Sequence, residues 1–304
     1  MLSVLLLGWM LAELTLFGAL ARWGWGCSWG AALALAVGAM LALRAAVMAL
    51  TWYVAWRWRS PAQALARGRW AAMVLREWAV FVFGFCVIQP FERWWLGPDR
   101  VLRGAVPVLL VHGYGCNRGI WWWIRRRLQA EGRSVATLTL EPPWGDIDGF
   151  ATQLHERIEA VCAAAGVPRL VLVAHSMGGL VSRAYLARHG DARVAGLITI
   201  ATPHTGTTLA RLGQGRCATQ MRRGAGWLTE LARQRVAVPF VSIRTPQDNF
   251  VMPQDTQRHP DARDEALPGV GHLAALFDRR TLALLGRHLP AMLAAAASAP
   301  PVQK

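Results

Sequence analysis

The chain lacks several patterns that mark common functional classes of protein. Its 5 cysteines are odd in number and widely spaced, so they predict neither a zinc site nor a disulfide framework. A net charge of +15 comes without a basic stripe interleaved with aromatic residues, and we therefore expect no nucleic-acid partner. Several arginines flank apolar runs, which favours attraction to anionic lipid headgroups, and a coding bias towards arginine and alanine explains the charge equally well.

No basic residue precedes the first long apolar run, Leu2 to Leu20, and this absence argues against a secretory signal peptide. Ala19-Leu20-Ala21 nevertheless has the small residues of a cleavage site. A second run, Ala31 to Trp56, contains Arg44 as its one charged residue. Each run is long enough to cross a hydrocarbon layer about 30 Å thick, and tryptophans gather towards their ends. Residues 1–60 are therefore predicted to form a transmembrane helical hairpin.

The distribution of arginine predicts the orientation of this hairpin. The connection between the runs carries only Arg22, whereas five arginines follow the second run closely: Arg57, Arg59, Arg67, Arg69 and Arg76. The positive-inside bias then predicts a multi-pass protein of a bacterial inner (cytoplasmic) membrane, with its large domain on the cytoplasmic side.

Residues 61–105 are predicted to form a basic and apolar connector. The apolar stretch Trp78 to Phe91 is short for a membrane span, which favours an interfacial or re-entrant position, or one that covers the large domain. If this stretch did cross the membrane, the large domain would lie on the outer side.

Two charged residues lie inside the apolar runs. Glu13 and Arg44 can pair across the hairpin, since an isolated charge near the bilayer centre costs about 2.5–3.5 kcal/mol on insertion scales. The alternative is that Arg44 extends to the interface while Glu13 is protonated. Both arrangements remain open.

From residue 106 to 298 short apolar runs alternate with helical segments. Continuous runs of valine, leucine and isoleucine between helices are typical of a mostly parallel sheet covered on both faces. The predicted strands are VPVLLV, SVATLTL, RLVLVAHS, VAGLITIATP and Phe240 to Arg244. The fold class is therefore α/β, preceded by two transmembrane helices.

Ser176 directly follows one of these buried strands and precedes a helix, within AHSMG. The small residues Ala174, Gly178 and Gly179 relieve crowding at a sharp strand-to-helix turn. Such a turn exposes the hydroxyl at a helix N-terminus and directs the Met177 amide at a developing oxyanion. We interpret this pattern as a nucleophile elbow, although the glycines also suit simple packing of helix on strand.

A second turn, VHGYG, ends the first strand and offers the Tyr114 amide as another oxyanion donor. His112 precedes the serine, contrary to the order serine, acid, histidine of this architecture, and is interpreted as a hydrogen-bonding scaffold residue.

The acid and base are sought downstream of the serine. Asp248 follows the strand ending at Arg244, and His272 lies in a glycine-rich loop before a helix, which gives the required order. Asp248 then orients the imidazole, and His272 takes and returns the proton. The competing acids are Asp255, Asp264 and Asp278, and the competing bases are His175, His204 and His259.

Four ordered motifs resemble those of bacterial triacylglycerol lipases and related esterases of the α/β-hydrolase fold. They are LLVHGYG, VAHSMGGLVSRAY, IATPHTGT and GVGHLAALF, and the resemblance covers roughly Val106 to Leu289. It implies Ser176 as nucleophile, Asp248 and His272 as its partners, and the Tyr114 and Met177 amides as the oxyanion hole.

The chain departs from this family at several points. Ala174 stands at the usual first glycine of the elbow, a substitution that members with an A-H-S-M-G elbow show. Because the acid region lacks the calcium-site residues of secreted lipases and no disulfide pair is evident, we expect no metal and no cofactor. The two membrane helices resemble those of membrane-anchored hydrolases.

Residues 205–238 occupy the position where this fold places its lid. Six apolar side chains there suit the cover of an acyl pocket, and equally an ordinary helix pair: Leu209, Leu212, Met221, Trp227, Leu228 and Leu231. Arg222 and Arg223 suit contact with lipid headgroups.

The combined prediction is a membrane-anchored serine hydrolase that cleaves carboxylic esters, with acyl-lipid substrates, contact with membrane lipid and no obligatory protein partner. An acyltransferase or thioesterase on the same triad is one alternative, because the acyl-enzyme can meet an acceptor other than water. A non-catalytic hydrolase-like scaffold is the other, since fold alone does not determine function.

Overall fold

A parallel β-sheet forms the centre of the large domain in the computed structural model of the chain, which describes residues 1–62 and 64–298. Gln63, within the predicted connector, and residues 299–304 lie outside this part. The strands are β1 (Val108–Val111), β2 (Val135–Thr137), β3 (Leu170–His175), β4 (Val194–Ile200), β5 (Phe240–Arg244) and β6 (Arg263–Ala266). Their order is β2-β1-β3-β4-β5-β6, and all neighbouring strands are parallel. The predicted α/β class is confirmed.

Helices precede the sheet and cover it. The α-helices are α1 (Leu2–Ala19), α2 (Trp29–Arg57), α3 (Arg67–Val82), α4 (Glu92–Leu96), α5 (Trp122–Ala130), α6 (Ile147–Ala165), α7 (Met177–His189), α8 (Gly215–Gln220), α9 (Gly226–Ala232) and α10 (Arg279–Ala297). π-Helical turns over Leu20–Gly24 and Phe83–Ile88 extend α1 and α3. Short 3-10 helices cover Arg118–Trp121, Thr208–Arg211, Gln254–Gln257 and Ala274–Phe277.

Both faces of the sheet are buried, which explains why its central strands read as continuous apolar runs. Alternate residues point to opposite faces, so Leu109 and Leu172 pack with α6 and α7, whereas Leu110 and Val173 pack with α5 and α10. β3 lies between β1 and β4 in the middle of the sheet. Ser176 therefore follows a central strand at its carboxyl end.

Two strands differ from the sequence prediction. β2 covers only three residues of SVATLTL: its last pair is Thr137 with Leu110, one residue before β1 ends, and beyond it the Leu140 amide donates to Nε2 of His112 at 2.9 Å. β6 was not predicted, since Arg263–Ala266 contains three charged residues and no apolar run. Charged side chains are common on a strand that pairs on one side only.

Helices α1 and α2 form the predicted hairpin, and the side chain of Ser28 caps the start of α2 by accepting from the Ala31 amide at 3.4 Å. Between the two helices, the Arg44 guanidinium donates to the Glu13 carboxylate, which also accepts from the Trp9 indole. The structure thus adopts the paired arrangement of these two charges, and each charge compensates the other inside an apolar hairpin.

A third apolar helix follows the hairpin. Three helical segments are long and apolar enough to cross a membrane, Leu2–Gly24, Trp29–Arg57 and Arg67–Ile88, whereas the sequence predicted two spans. The third helical segment is longer than the apolar stretch Trp78 to Phe91 indicates, because the helix begins at Arg67. Arg76 pairs with Asp278 at 2.8 Å, so α3 also contacts the large domain. These segments suggest that the protein associates with a membrane.

Candidate active site

Ser176 occupies the turn between β3 and α7 with φ of 54° and ψ of −126°. A positive φ at a residue with a side chain costs on the order of 1–3 kcal/mol, so the surroundings must hold it. The Ser176 amide donates to the Ile200 carbonyl at 2.9 Å, and the Thr202 hydroxyl donates to the Ser176 carbonyl at 2.9 Å. The TPHTG motif therefore supports the serine turn through Thr202.

The glycines around Ser176 are required by close approach. A Cβ on Gly178 would lie 2.4 Å from the Val111 carbonyl oxygen, and one on Gly179 would lie 2.2 Å from the Thr202 hydroxyl. On Gly113 it would lie 2.8 Å from the Ser176 Cβ. The two predicted turns thus pack directly against each other at the serine.

Asp248 and His272 meet beside this turn. His272 Nδ1 lies 2.9 Å from Asp248 Oδ2, and both side chains are buried. His272 and Ser176 line the same cavity. Within the described part of the chain, neither Ser176 Oγ nor His272 Nε2 has a hydrogen-bond partner. A serine hydroxyl, an imidazole and a carboxylate are thereby brought to one end of the sheet, as predicted.

The Asp248 carboxylate is fully buried and held by main-chain and side-chain donors. Its Oδ1 accepts from the amides of Phe250 at 2.7 Å and Val251 at 2.8 Å. Its Oδ2 accepts from the Thr245 hydroxyl and, at 3.2 Å, from the Gln257 amide group. These donors fix the oxygen that faces His272.

The competing acids bind elsewhere. Asp255 pairs with Arg258, and Asp264 pairs with Arg244 and Arg258. Asp278 caps α10 by accepting from the Arg280 amide at 2.9 Å. Burial raises the pKa of Asp278, but hydrogen bonds from Arg280 and Arg76 outweigh burial and hold this pKa at about 2. None of the three aspartates lines the cavity at Ser176.

Of the competing histidines, His175 and His204 are buried and His259 is partly buried, and the environments of all three favour the neutral ring. Burial lowers the pKa of His175 and of His204 well below the usual value, and that of His259 to about 4. The His175 ring packs between Trp121 and His272. His204 Nε2 lies 3.1 Å from the Thr199 hydroxyl, away from the cavity.

His112 has the scaffold position predicted for it. Its Nδ1 lies 2.9 Å from the Gly113 carbonyl, while its Nε2 accepts from the Leu140 amide. Burial lowers its pKa to about 4, against a smaller opposite effect of the Gly113 hydrogen bond. The neutral ring thus holds the glycine turn in place.

The Met177 amide directly follows Ser176 in the chain, and the Tyr114 amide belongs to the turn after β1 that packs against Ser176 through Gly113. Met177 is the first residue of α7, where amides have no partner in the helix. Within the described residues, neither amide donates a hydrogen bond to another group. The Tyr114 hydroxyl donates to the Gln214 carbonyl at 3.0 Å and accepts from the Gln214 amide at 2.9 Å. These two hydrogen bonds connect the turn that contains Tyr114 to the segment 205–238.

A cavity of about 510 Å³ opens at Ser176. Part of its lining comes from residues 205–238, through Leu209, Leu212 and Met221. Leu228 and Leu231 from the same segment pack into the domain core instead. The segment therefore combines the two arrangements considered from the sequence, a cover over the cavity and a helix pair packed on the domain.

Two polar residues at the site escaped the sequence reasoning. Glu77 on α3 is fully buried and accepts from the amides of Leu273 and Ala274, each at 2.8 Å, directly after His272. Asn249 Oδ1 accepts from the His272 amide at 3.2 Å. A lone carboxylate within an apolar run was the available signal for Glu77, because such residues usually have a specific partner.

Comparisons with known proteins support the α/β-hydrolase fold. Residues 106–224 match the family described as alpha/beta hydrolase fold. Over 120 residues the chain is 37% identical to a triacylglycerol lipase of Pseudarthrobacter phenanthrenivorans, which covers 37% of each chain. It is also 37% identical over 120 residues to a triacylglycerol lipase of Burkholderia plantarii, covering 37% of this chain and 33% of that one. The chain thus matches about a third of these relatives' length.

A solved structure shows the same fold. The mature form of a Bacillus licheniformis lipase superposes with a TM-score of 0.56 at 18% identity, covering 65% of this chain and 95% of that one. At this identity the likeness concerns the fold alone. The part of this chain that the superposition leaves uncovered is long enough to contain the apolar helices at its start.

Proposed function

We propose that this chain, whose large domain is an α/β-hydrolase resembling triacylglycerol lipases and esterases, is a membrane-anchored serine hydrolase of acyl-lipid esters. The observation that carries the proposal is the hydrogen bond of 2.9 Å between His272 Nδ1 and the buried Asp248, together with the cavity that His272 and Ser176 both line. In this proposal the three residues form a catalytic triad.

In the acylation step, Ser176 Oγ attacks the carbonyl carbon of the ester while His272 Nε2 takes the hydroxyl proton. Asp248 holds the imidazole in the tautomer that presents Nε2 and stabilises its cation. The negative charge that develops on the carbonyl oxygen is bound by the amides of Tyr114 and Met177. The ester C–O bond then breaks, the alcohol leaves with the proton from His272, and the acyl group stays on Ser176.

Deacylation repeats these roles with water. His272 takes a proton from a water molecule, whose oxygen attacks the acyl carbon. The bond to Ser176 Oγ breaks, the proton returns to the serine, and a carboxylic acid is released. No cofactor or metal enters either step.

For location we propose the inner membrane of a bacterium, with the hydrolase domain on the cytoplasmic side. The start of α1 and the end of α2 both contact this domain, through Ser3 to Asn117 at 3.0 Å and Ser60 to Gln254 at 2.9 Å. A hairpin with both ends at the domain supports a common side, and the arginines after α2 support the cytoplasm.

A fluorophosphonate probe, which phosphonylates activated serines, tests the proposal on the full chain in detergent. We expect labelling and hydrolysis of p-nitrophenyl esters by the wild type, and a loss of about 10⁴-fold or more in turnover for Ser176→Ala and His272→Ala. Ser298→Ala and His189→Ala are matched controls because both side chains are exposed.

Unchanged activity in the controls and loss in the two site variants would support the triad. A folded wild-type protein that neither reacts with the probe nor hydrolyses any ester would refute the proposal and favour a binding scaffold.

A further inference from the structure

One wall of the cavity at Ser176 comes from outside the hydrolase domain. Val47, Leu50 and Thr51 of helix α2 line it, together with Phe85 from the π-helical extension of α3. The apolar hairpin therefore contributes side chains to the site as well as an anchor.

Helix α2 is also tied to the loops that carry the acid and the base. The Asn249 side-chain amide donates to the Thr51 hydroxyl at 3.0 Å, and its oxygen accepts from the His272 amide at 3.2 Å. The Thr51 hydroxyl in turn donates to the Met48 carbonyl at 2.8 Å. This short chain of hydrogen bonds fixes the position of the α2 wall relative to His272.

The side chains of this wall suit a hydrocarbon ligand. Val47 and Leu50 remain 40% and 50% exposed, although they border a cavity beside a reactive serine. They belong to Trp29–Arg57, the most apolar of the three candidate spans. The apolar surface of this candidate span thus continues to the cavity at Ser176. Each methylene kept out of water on this path saves about 0.8 kcal/mol, so a path along the helix favours long acyl chains.

We infer that Val47 and Leu50 of α2 bind the acyl chain of the substrate and set the chain length that the site accepts. The substrate class is an acyl lipid of the bilayer, whose chain reaches Ser176 along α2. This inference rests on the proposed hydrolysis of acyl-lipid esters and adds the path of the acyl chain and two specificity residues to it.

The experiment compares hydrolysis of p-nitrophenyl palmitate and p-nitrophenyl butyrate by Leu50→Trp and Val47→Trp in detergent micelles. The larger ring fills the cavity, so we expect the palmitate-to-butyrate ratio of kcat/KM to fall by about tenfold or more, as expected when apolar contacts are lost in an acyl pocket. Leu35→Trp is the matched control, because Leu35 lies on the same helix and away from the cavity. Its ratio stays at the wild-type value.

Labelling by the fluorophosphonate probe separates the two proposals. If the wild type neither labels nor hydrolyses butyrate, the hydrolase proposal fails. If it labels but the ratio is unchanged in both tryptophan variants, only the inference about α2 fails. Should a tryptophan variant not fold, Leu50→Ala replaces it: a ratio lowered relative to Leu35→Ala supports the inference, and an unchanged ratio overturns it.

Discussion

Replacement of Glu77 by glutamine tests whether helix α3 holds the histidine loop. Both oxygens of Glu77 accept main-chain amides, those of Leu273 and Ala274, each at 2.8 Å. Gly271 packs so closely that a Cβ there would lie 2.5 Å from Glu77 Oε2. A hydrogen bond contributes about 0.5–1.5 kcal/mol net, and an unpaired buried donor costs about 1–3 kcal/mol. Glutamine keeps one acceptor and turns an NH₂ group towards the second amide.

We therefore expect Glu77→Gln to lower the free energy of unfolding by about 3 kcal/mol. At ~2–4 °C for each kcal/mol this lowers the Tm by roughly 6–12 °C. His272 lies next to the freed amides, and a displacement of ~1 Å there costs up to ~100-fold in rate. We expect kcat to fall by about tenfold or more, with a smaller change in KM.

The assay combines thermal unfolding in detergent with kcat and KM for p-nitrophenyl butyrate. Glu131→Gln is the control, because the Glu131 carboxylate is 51% exposed and pairs with the neighbouring Arg133 at the surface. We expect a change within about 0.5 kcal/mol. A Tm and a kcat of Glu77→Gln that both match this control would refute the reasoning that α3 positions the histidine loop.

Three further predictions follow from the packing and charges. Gly178→Ala puts a Cβ 2.4 Å from a main-chain oxygen, so we expect this variant to lose probe labelling and about 1–3 kcal/mol of stability. Gly196→Ala is expected to lose less stability, because its Cβ meets a flexible methionine side chain. Thermal unfolding and probe labelling of the two variants check this. The folded pKa of His112, about 4, lies below its usual 6.5, so only the unfolded chain takes up this proton between these values. The stability that the neutral His112 contributes is complete above pH 6.5 and falls by ~1.4 kcal/mol per pH unit towards about pH 4. A denaturation series with the same pH dependence in His112→Gln as in the wild type would contradict this. Arg44→Met leaves Glu13 unpaired and costs about 3–5 kcal/mol, whereas adding Glu13→Gln removes the unpaired charge and recovers most of the Tm. Equal Tm values for the single and double variants would contradict the unpaired charge as the cause of the loss.

The order of the elements and the positions of the site residues followed from local patterns. Ser176 was recognisable because a buried strand, small residues and a helix start meet within a few positions. The close packing at Gly178 shows why this turn requires small residues. Asp248 and His272 followed from chain order, since parallel strands bring their carboxyl ends to one edge of a sheet. Their catalytic roles stay predictions.

Other features had no local signal. The strand Arg263–Ala266 has no apolar run and forms by pairing with Phe240–Arg244, and the strand Val135–Thr137 pairs with a strand that ends at Val111. Neither result could follow from periodicity, because each depends on the strand that lies beside it.

The sequence by itself determined an apolar hairpin, a parallel α/β domain and the three residues of the proposed triad, because each depends on a repeating or contiguous pattern. Only the tertiary structure decided that α2 lines the cavity and that Glu77 holds the histidine loop. Glu77 and Leu273 are 196 positions apart, and such contacts depend on how whole elements pack against each other. A hydrophobic pattern predicts that a helix face is buried or in lipid, but the partner of that face is decided by packing.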